Sequence, residues 1–395
     1  MKKVLVISPV HTHPINGGSS FGVNNVCNNL KSIGMDVHFL YIANSPGFDT
    51  KQLYIDEMGK IFRERFFTFE SKNKFPFAPI APKNIFQKIK QKFLFEIKSN
   101  KFYTNKIDDF FDDGINEFLQ DLQSKENFKA VIVNYVFYSK ALTIFGKNVL
   151  KILETHDLFA NRHLIFHKKR LPNTWFSFSP NAEIKGLKRA DVIIAVQKSE
   201  KVYFSEKLKN KKVISVGRIL DISEFKPKEK TTNKLLYIAS GNNTNLASYN
   251  YFLENIFPII IKKNPEVELL VAGSICNLID DNKNIRKLGN IDKLNDIYDS
   301  CDVVVNPVIL GTGLKIKTVE ALFHNKPLVT TSIGAEGLEE GINTAFFVED
   351  KPEKFADRVV ELLENIESYN KTSKNAFEFI KKYKDDNLNE LKNIF

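Results

Sequence analysis

The chain has 395 residues, 43% apolar and 26% charged. That composition belongs to a folded protein with room for two domains, and it excludes a disordered, collagen-like or small disulfide-stapled chain. The net charge of +10, from 57 Lys and Arg against 47 Asp and Glu, suits nucleic acid, an anionic membrane or an anionic ligand, so where the charge sits decides among them.

The opening run, residues 4–8, is apolar but stops at Pro9, and His11, His13 and Pro14 follow with no small-residue cleavage site. It reads as a first β-strand, not a leader, and a cytoplasmic protein is expected. Cys27, Cys276 and Cys301 are scattered. They form no metal-spaced pair and no disulfide framework, which points to a reducing compartment. No apolar stretch is long enough to span a bilayer.

Residues 21–33 read as a helix, and strands follow at 37–42, 130–134, 151–154, 191–196 and 212–216. Each strand is a continuous β-branched run, as parallel strands buried on both faces require. Residues 219–233 are polar, contain Pro227 and break the rhythm as a linker would. Strands resume at 235–239, 267–272, 302–306, 327–330 and 345–348, with helices at 246–261 and 294–300. From Pro352 onward Phe355, Val359, Leu362 and Leu363 fall at helical spacing, and 375–395 continues as helix. The expected fold is α/β: two Rossmann-like, doubly wound parallel-sheet domains facing a central cleft. The expected boundaries are 1–217, a hinge at 218–232, a second domain at 233–372, and a helix at 373–395 returning to the first domain.

Residues 72–106 stand apart, with nine lysines and a single acid, Glu96. Ile85, Phe86, Ile89, Phe93 and Ile97 fall on one helical face. An apolar stripe rimmed with lysine suits a helix lying on an anionic membrane surface, or an ordinary surface helix packed on the first domain. The lysines lack the interleaved aromatics of a nucleic-acid module, so nucleic acid is not an expected partner.

Two glycine loops carry the chemistry. Gly17-Gly18 follows the first strand and precedes a helix, a place where the backbone can approach an anion. The second runs from Asn306 through Gly311-Thr312-Gly313-Leu314-Lys315 into a helix bearing Lys317 and Glu320. These two are three residues apart and share a helix face. A cation at the helix start suits a phosphate, and a carboxylate one turn further in suits sugar hydroxyls. A surface ion pair would account for the spacing but not for the Gly-x-Gly at a strand end.

Residues 288–338 resemble the nucleotide-binding half of a family-4-type glycosyltransferase of GT-B architecture. The likeness runs through Leu288-Gly289-Asn290-Ile291, Cys301-Asp302-Val303, the Gly/Lys/Glu loop, Lys326-Pro327-Leu328-Val329 and Gly334-Ala335-Glu336-Gly337-Leu338. Val216-Gly217, with Asp221, Phe225 and Pro227, resembles the family's hinge. Glu154-Thr155-His156-Asp157, with Arg162, resembles its mid-domain His-Asp segment.

The resemblance implies a retaining transfer from a nucleoside diphosphate-sugar to a glycan or lipid-linked acceptor in bacterial surface polysaccharide synthesis, with no cofactor and no metal. It implies that Glu320 holds the ribose and that Lys317, helped by Lys315, neutralises the diphosphate. Backbone around Gly17, Gly18, Thr312, Gly313 and Leu314 would assist, with Gly241 and Asn242 beside the donor, Asn290 and Ile291 near the base, and His156 against the sugar. Asp157 and Arg162 would lie on the acceptor side. A cytoplasmic protein, peripheral on the inner face of the membrane through 72–106, is the implied setting.

Two departures stand out. Thr312 occupies the position of the family's second glutamate. Residues 240–245, Ser-Gly-Asn-Asn-Thr-Asn, replace its Arg and Lys clamp, so Lys315 and Lys317 must carry more of the phosphate charge. A sugar-nucleotide epimerase and a catalytically impaired nucleotide-sugar-binding subunit are the competing readings.

Overall fold

The computed structural model describes residues 2–15, 17–43, 48–73, 105–164, 176–290, 294–311 and 313–395. Asn16, Ile291, Thr312 and most of the lysine-rich segment 72–106 lie outside them. The chain divides into two compact units, Met1–Val216 with Glu390–Phe395, and Gly217–Asn389. Each is an α/β unit on a parallel sheet.

The first unit contains β1 (Lys3–Ser8), α1 (Gly18–Ser32), β2 (Asp36–Ala43), α2 (Phe48–Phe62), β3 (Phe66–Glu70), α3 (Ile115–Glu126), β4 (Ala130–Asn134), β5 (Leu150–Glu154), α4 (Pro180–Leu187), β6 (Val192–Ala195), α5 (Lys198–Lys207) and β7 (Lys212–Ser215). Its sheet has the order β3-β2-β1-β4-β5-β6-β7, with every pairing parallel. Val4 to Ile7 of β1 are fully buried, which is why an unbroken aliphatic run, not an alternating one, marks a central strand covered on both faces. In α1, Val23, Cys27 and Leu30 recur at i, i+4 and i+7 and are all buried, the stripe that lets a helix lie on a sheet.

The second unit contains β8 (Lys234–Ile238), α6 (Asn243–Asn255), α7 (Phe257–Lys263), β9 (Glu268–Ala272), β10 (Ile285–Gly289), α8 (Leu294–Ser300), β11 (Val303–Asn306), α9 (Ile316–Phe323), β12 (Leu328–Thr330), β13 (Phe347–Val348) and α10 (Pro352–Glu364). The sheet order is β10-β9-β8-β11-β12-β13. The last helix, α11 (Ile366–Lys392), begins in this unit, and its final residues group with the first. There Lys201 meets Glu390 at 3.4 Å and Lys212 Nζ donates to the Asn393 carbonyl at 2.7 Å.

Some expectations change. The single helix expected at 246–261 is two, α6 and α7, meeting at Ile256. Pro258 has no N–H to donate, so a helix arriving there ends and a new one starts with proline in its first turn. The edge strands β3 and β10 and helices α2, α3, α4 and α5 are absent from the expected elements. Residues 219–233 contain no helix or strand, yet they are sewn to the second unit. Ser223 N–H donates to the Phe323 carbonyl at 2.9 Å, Thr231 Oγ1 to the Leu363 carbonyl at 2.6 Å, and Lys228 pairs with fully buried Asp302 at 2.6 Å. Among the described residues no helix is long and apolar enough to cross a membrane.

Candidate functional site

In a parallel sheet, ligands collect at the carboxyl ends of strands, where the strand order reverses. In the second unit that point lies between β8 and β11. The segment 240–245 follows β8 and enters α6 at Asn243, and the glycine loop leaves β11 and enters α9 at Ile316. Asn290 follows β10, whose last carbonyl, Gly289, accepts from Gly273 N–H at 2.7 Å. The sequence therefore places Gly241, Asn242, Asn290, Gly313, Leu314, Lys315, Lys317 and Glu320 along one edge of one sheet.

A buried network fixes the glycine loop. Asn306, the last residue of β11, donates from Nδ2 to Thr318 Oγ1 at 2.9 Å, and Thr318 Oγ1 donates to the Gly334 carbonyl at 2.8 Å. Thr330 Oγ1 donates to the Asn306 carbonyl at 2.7 Å. Gly334 is obligatory in this packing, because a Cβ there would stand 1.9 Å from Thr330 Oγ1. Gly313 has φ of 74°, a backbone region that disfavours other residues.

The two lysines of the loop have different surroundings. Lys315, at the N-cap of α9, donates to the Gly313 carbonyl at 2.6 Å and pairs with Glu336 at 2.8 Å. Its charge is already met by Glu336, which lies after β12. Lys317 turns the other way, over the Tyr237 ring at 5.4 Å from the centroid, and donates to Asn245 Oδ1 at 3.0 Å. Among the described residues no carboxylate hydrogen-bonds it. Burial pushes its ammonium down to about 8, and the Glu320 charge opposes that shift without cancelling it.

Glu320 is 8% exposed and accepts from the Tyr298 hydroxyl at 3.3 Å. Burial raises its carboxyl to about 7 against the Tyr298 hydrogen bond and the Lys317 charge. Tyr298 stacks on His324 with centroids 4.2 Å apart, and His324 Nδ1 lies 3.0 Å from Ser223 Oγ. Burial lowers His324 to about 4, so it is neutral at physiological pH. A half-buried ammonium and a buried carboxylate on one helix face make a place where an anion and a hydroxyl-bearing group gain more than they would in water.

Gly241 and Asn242 are engaged in folding. Gly241 N–H donates to Ser274 Oγ at 2.8 Å, and Asn242 caps α6 by accepting from Asn245 N–H at 2.9 Å. Asn290 is exposed. Asn245 and Tyr237 went unrecognised in the sequence, since their role comes from a partner more than seventy residues away and no local spacing announces it.

In the first unit, the order reverses between β1 and β4. Gly17 caps α1, and open space surrounds the place a Cβ would take. Beside β4, at the end of β5, His156 has φ of 61°, and Tyr135, on which it stacks at 4.2 Å, has φ of 70°. Left-handed backbone at two non-glycine residues in contact is a cost that functional loops often carry. His156 Nε2 lies 2.7 Å from Glu154, a fully buried carboxylate that also accepts from Asn134 Nδ2 at 2.9 Å. Asp157 and Arg162 pair with each other. Glu183 braces this loop by accepting from the N–H groups of Phe159 and Ala160 at 2.8 and 3.0 Å.

The fold is that of the GT-B glycosyltransferases, and residues 232–365 match the family described as glycosyl transferases group 1. Staphylococcus aureus TarM, in a crystal structure with fondaparinux, α-GlcNAc-glycerol and UDP, superimposes with a TM-score of 0.68 at 13% identity over 100% of this chain and 99% of its own. An uncharacterised glycosyltransferase of Methanocaldococcus jannaschii, MJ1069, is 24% identical over 298 residues, covering 68% of this chain and 70% of that protein. A 44.6 kDa protein from the cps region of Klebsiella pneumoniae is 28% identical over 150 residues, spanning 34% of this chain and 38% of that protein.

Proposed function

We propose that the protein transfers a sugar, with retention and without a metal, from a nucleoside diphosphate-sugar to a glycan or lipid-linked glycan acceptor. One observation carries the reading: Lys317 and Glu320 share a helix face at the reversal point of the second sheet, the cation half-buried near the loop and the carboxylate buried one turn deeper. Lys317 meets the diphosphate, with the positive end of α9 adding to it. Glu320 accepts from the ribose hydroxyls. Lys315 contributes by holding the loop through Glu336. Backbone near Gly313 and Leu314, and the loop at Gly241 and Asn242, line the donor, and Asn290 faces the base. In the first unit the reading assigns Gly17 and Gly18 to the donor and His156 to the transferred sugar, with Asp157 and Arg162 for the acceptor.

The chemistry follows from charge. The bond between the anomeric carbon and the phosphate oxygen breaks, and the diphosphate leaves with the electron pair, so stabilising that leaving group lowers the barrier directly. The acceptor oxygen bonds to the anomeric carbon on the same face, and its proton passes to the departing phosphate oxygen. The binding of UDP by TarM supports a nucleotide donor, and the cps-region relative supports a role in surface polysaccharide synthesis.

A calorimetric screen of UDP-, GDP- and other nucleotide-sugars tests the donor assignment, and saturable binding of at least one is expected. Product NMR then reads the anomeric configuration, and turnover in excess EDTA reads metal independence. An inverted product or abolition by EDTA removes the corresponding part of the proposal.

A further inference from the structure

We propose that Asn245 and Tyr237 are the positioning residues of the cationic site, fixing where the Lys317 ammonium stands. This rests on the reading above that Lys317 meets the diphosphate. Residues 240–245 carry no cation of their own, and Lys317 reaches them from another helix, its ammonium held there by one amide and one ring.

The amide cannot swap ends. Asn245 Oδ1 accepts from Lys317 at 3.0 Å, while Nδ2 donates to the Ser240 carbonyl at 2.8 Å and to Ser240 Oγ at 3.0 Å. Reversal would put N–H against the ammonium and oxygen against a carbonyl. The Asn245 backbone is held as well, because its N–H donates to Asn242 Oδ1 at 2.9 Å and its carbonyl accepts from the Tyr237 hydroxyl at 2.9 Å. Tyr237 thus acts twice, with its hydroxyl anchoring Asn245 and its ring lying under the ammonium. Neither partner is charged, so the ammonium is oriented while its charge stays available to a ligand. A carboxylate at this place would orient it equally well and neutralise it.

Of the other groups around Lys317, Glu320 titrates lowest, at about 7, and its ionisation belongs to the acid side of the profile, leaving the alkaline side to Lys317. Glu320 faces it along α9, and Tyr298 of α8 stands behind Glu320 with its hydroxyl held protonated far above its ordinary range. Burial holds Tyr237 well above its usual range too, and Tyr249, whose ring centroid is 5.4 Å from that of Tyr237, is pushed up to about 12. Lys315 is occupied by Glu336. An alkaline loss of nucleotide affinity near 8 therefore reports Lys317.

The test measures affinity against pH for whichever of UDP, GDP and ADP binds the wild type, with Asn245→Ala, Asn245→Asp, Tyr237→Phe and Lys317→Met. Asn245→Ala removes the acceptor; affinity falls about tenfold, and the alkaline limb moves to lower pH. Asn245→Asp supplies a counter-charge; the limb moves up by about one unit or more while affinity at neutral pH falls. Tyr237→Phe keeps the ring and fold and gives a smaller loss in the direction of Asn245→Ala. Opposite movements of the limb in Ala and Asp variants are not produced by a change in stability alone. If both Asn245 variants keep the wild-type limb while Lys317→Met loses binding, the positioning proposal is overturned and the diphosphate reading stands. If Lys317→Met binds within twofold of wild type, the diphosphate reading itself falls, and the proposal with it.

Discussion

At the scale of single residues, the site depends on two groups that burial has pulled toward neutrality from opposite sides. Glu320 titrates at about 7 and Lys317 at about 8. On the proposed roles, an ionised carboxylate holds ribose hydroxyls best, and only a protonated ammonium meets phosphate. Nucleotide affinity is therefore expected to be bell-shaped, falling as pH drops through about 7 and as it rises through about 8. Isotherms across this range check it, with Glu320→Gln removing the acid limb and Lys317→Met the alkaline one.

The same shifts cost stability. A raised carboxyl contributes stability below its unfolded value and loses it as pH rises through about 7. A lowered ammonium carries its full penalty below about 8, and the penalty fades only as pH climbs from there to the ordinary lysine value of 10.5. Lys317→Met is thus expected to raise the melting temperature at neutral pH while removing activity. A structural lysine would do the reverse, so a lower melting temperature would count against the site.

At the scale of elements, α9 and its loop are held by Asn306, Thr318, Thr330 and Gly334. Gly334→Ala would drive a methyl into Thr330 Oγ1, and such overpacking costs roughly 1–3 kcal/mol. Thermal melts should show that loss, and nucleotide affinity should drop with it because the loop moves. An unchanged melt and affinity would mean the network does not support the site.

Elements were legible where one period dominates. Fully buried parallel strands such as β1, β4 and β11 are unbroken aliphatic runs, and the Gly-x-Gly before α9 marked a loop entering a helix. The edge strand β3 was missed because its face is only partly covered and its pattern is mixed. The break between α6 and α7 hinged on Pro258, which the apolar stripe on both sides concealed. The division of labour between Lys315 and Lys317 was not legible either. Both follow the same glycine loop, and only the fold gives one to Glu336 and the other to Asn245 and Tyr237.

At the scale of the whole molecule, the two α/β units are expected to act on a donor and on an acceptor built at a membrane. The charge pattern of residues 72–106 suits an anionic membrane surface, the setting proposed for that acceptor. The protein is expected to float with liposomes containing anionic phosphatidylglycerol and to stay behind with neutral phosphatidylcholine. Neutralising the lysines of that segment should abolish flotation, whereas flotation unaffected by those changes would remove the segment's role.

The most direct test of the central claim is donor affinity of wild type against Lys317→Ala, by calorimetry at neutral pH. Loss of a charge-assisted contact to the diphosphate predicts binding about a hundredfold weaker, with turnover down by orders of magnitude. Binding and turnover within twofold of wild type would contradict it.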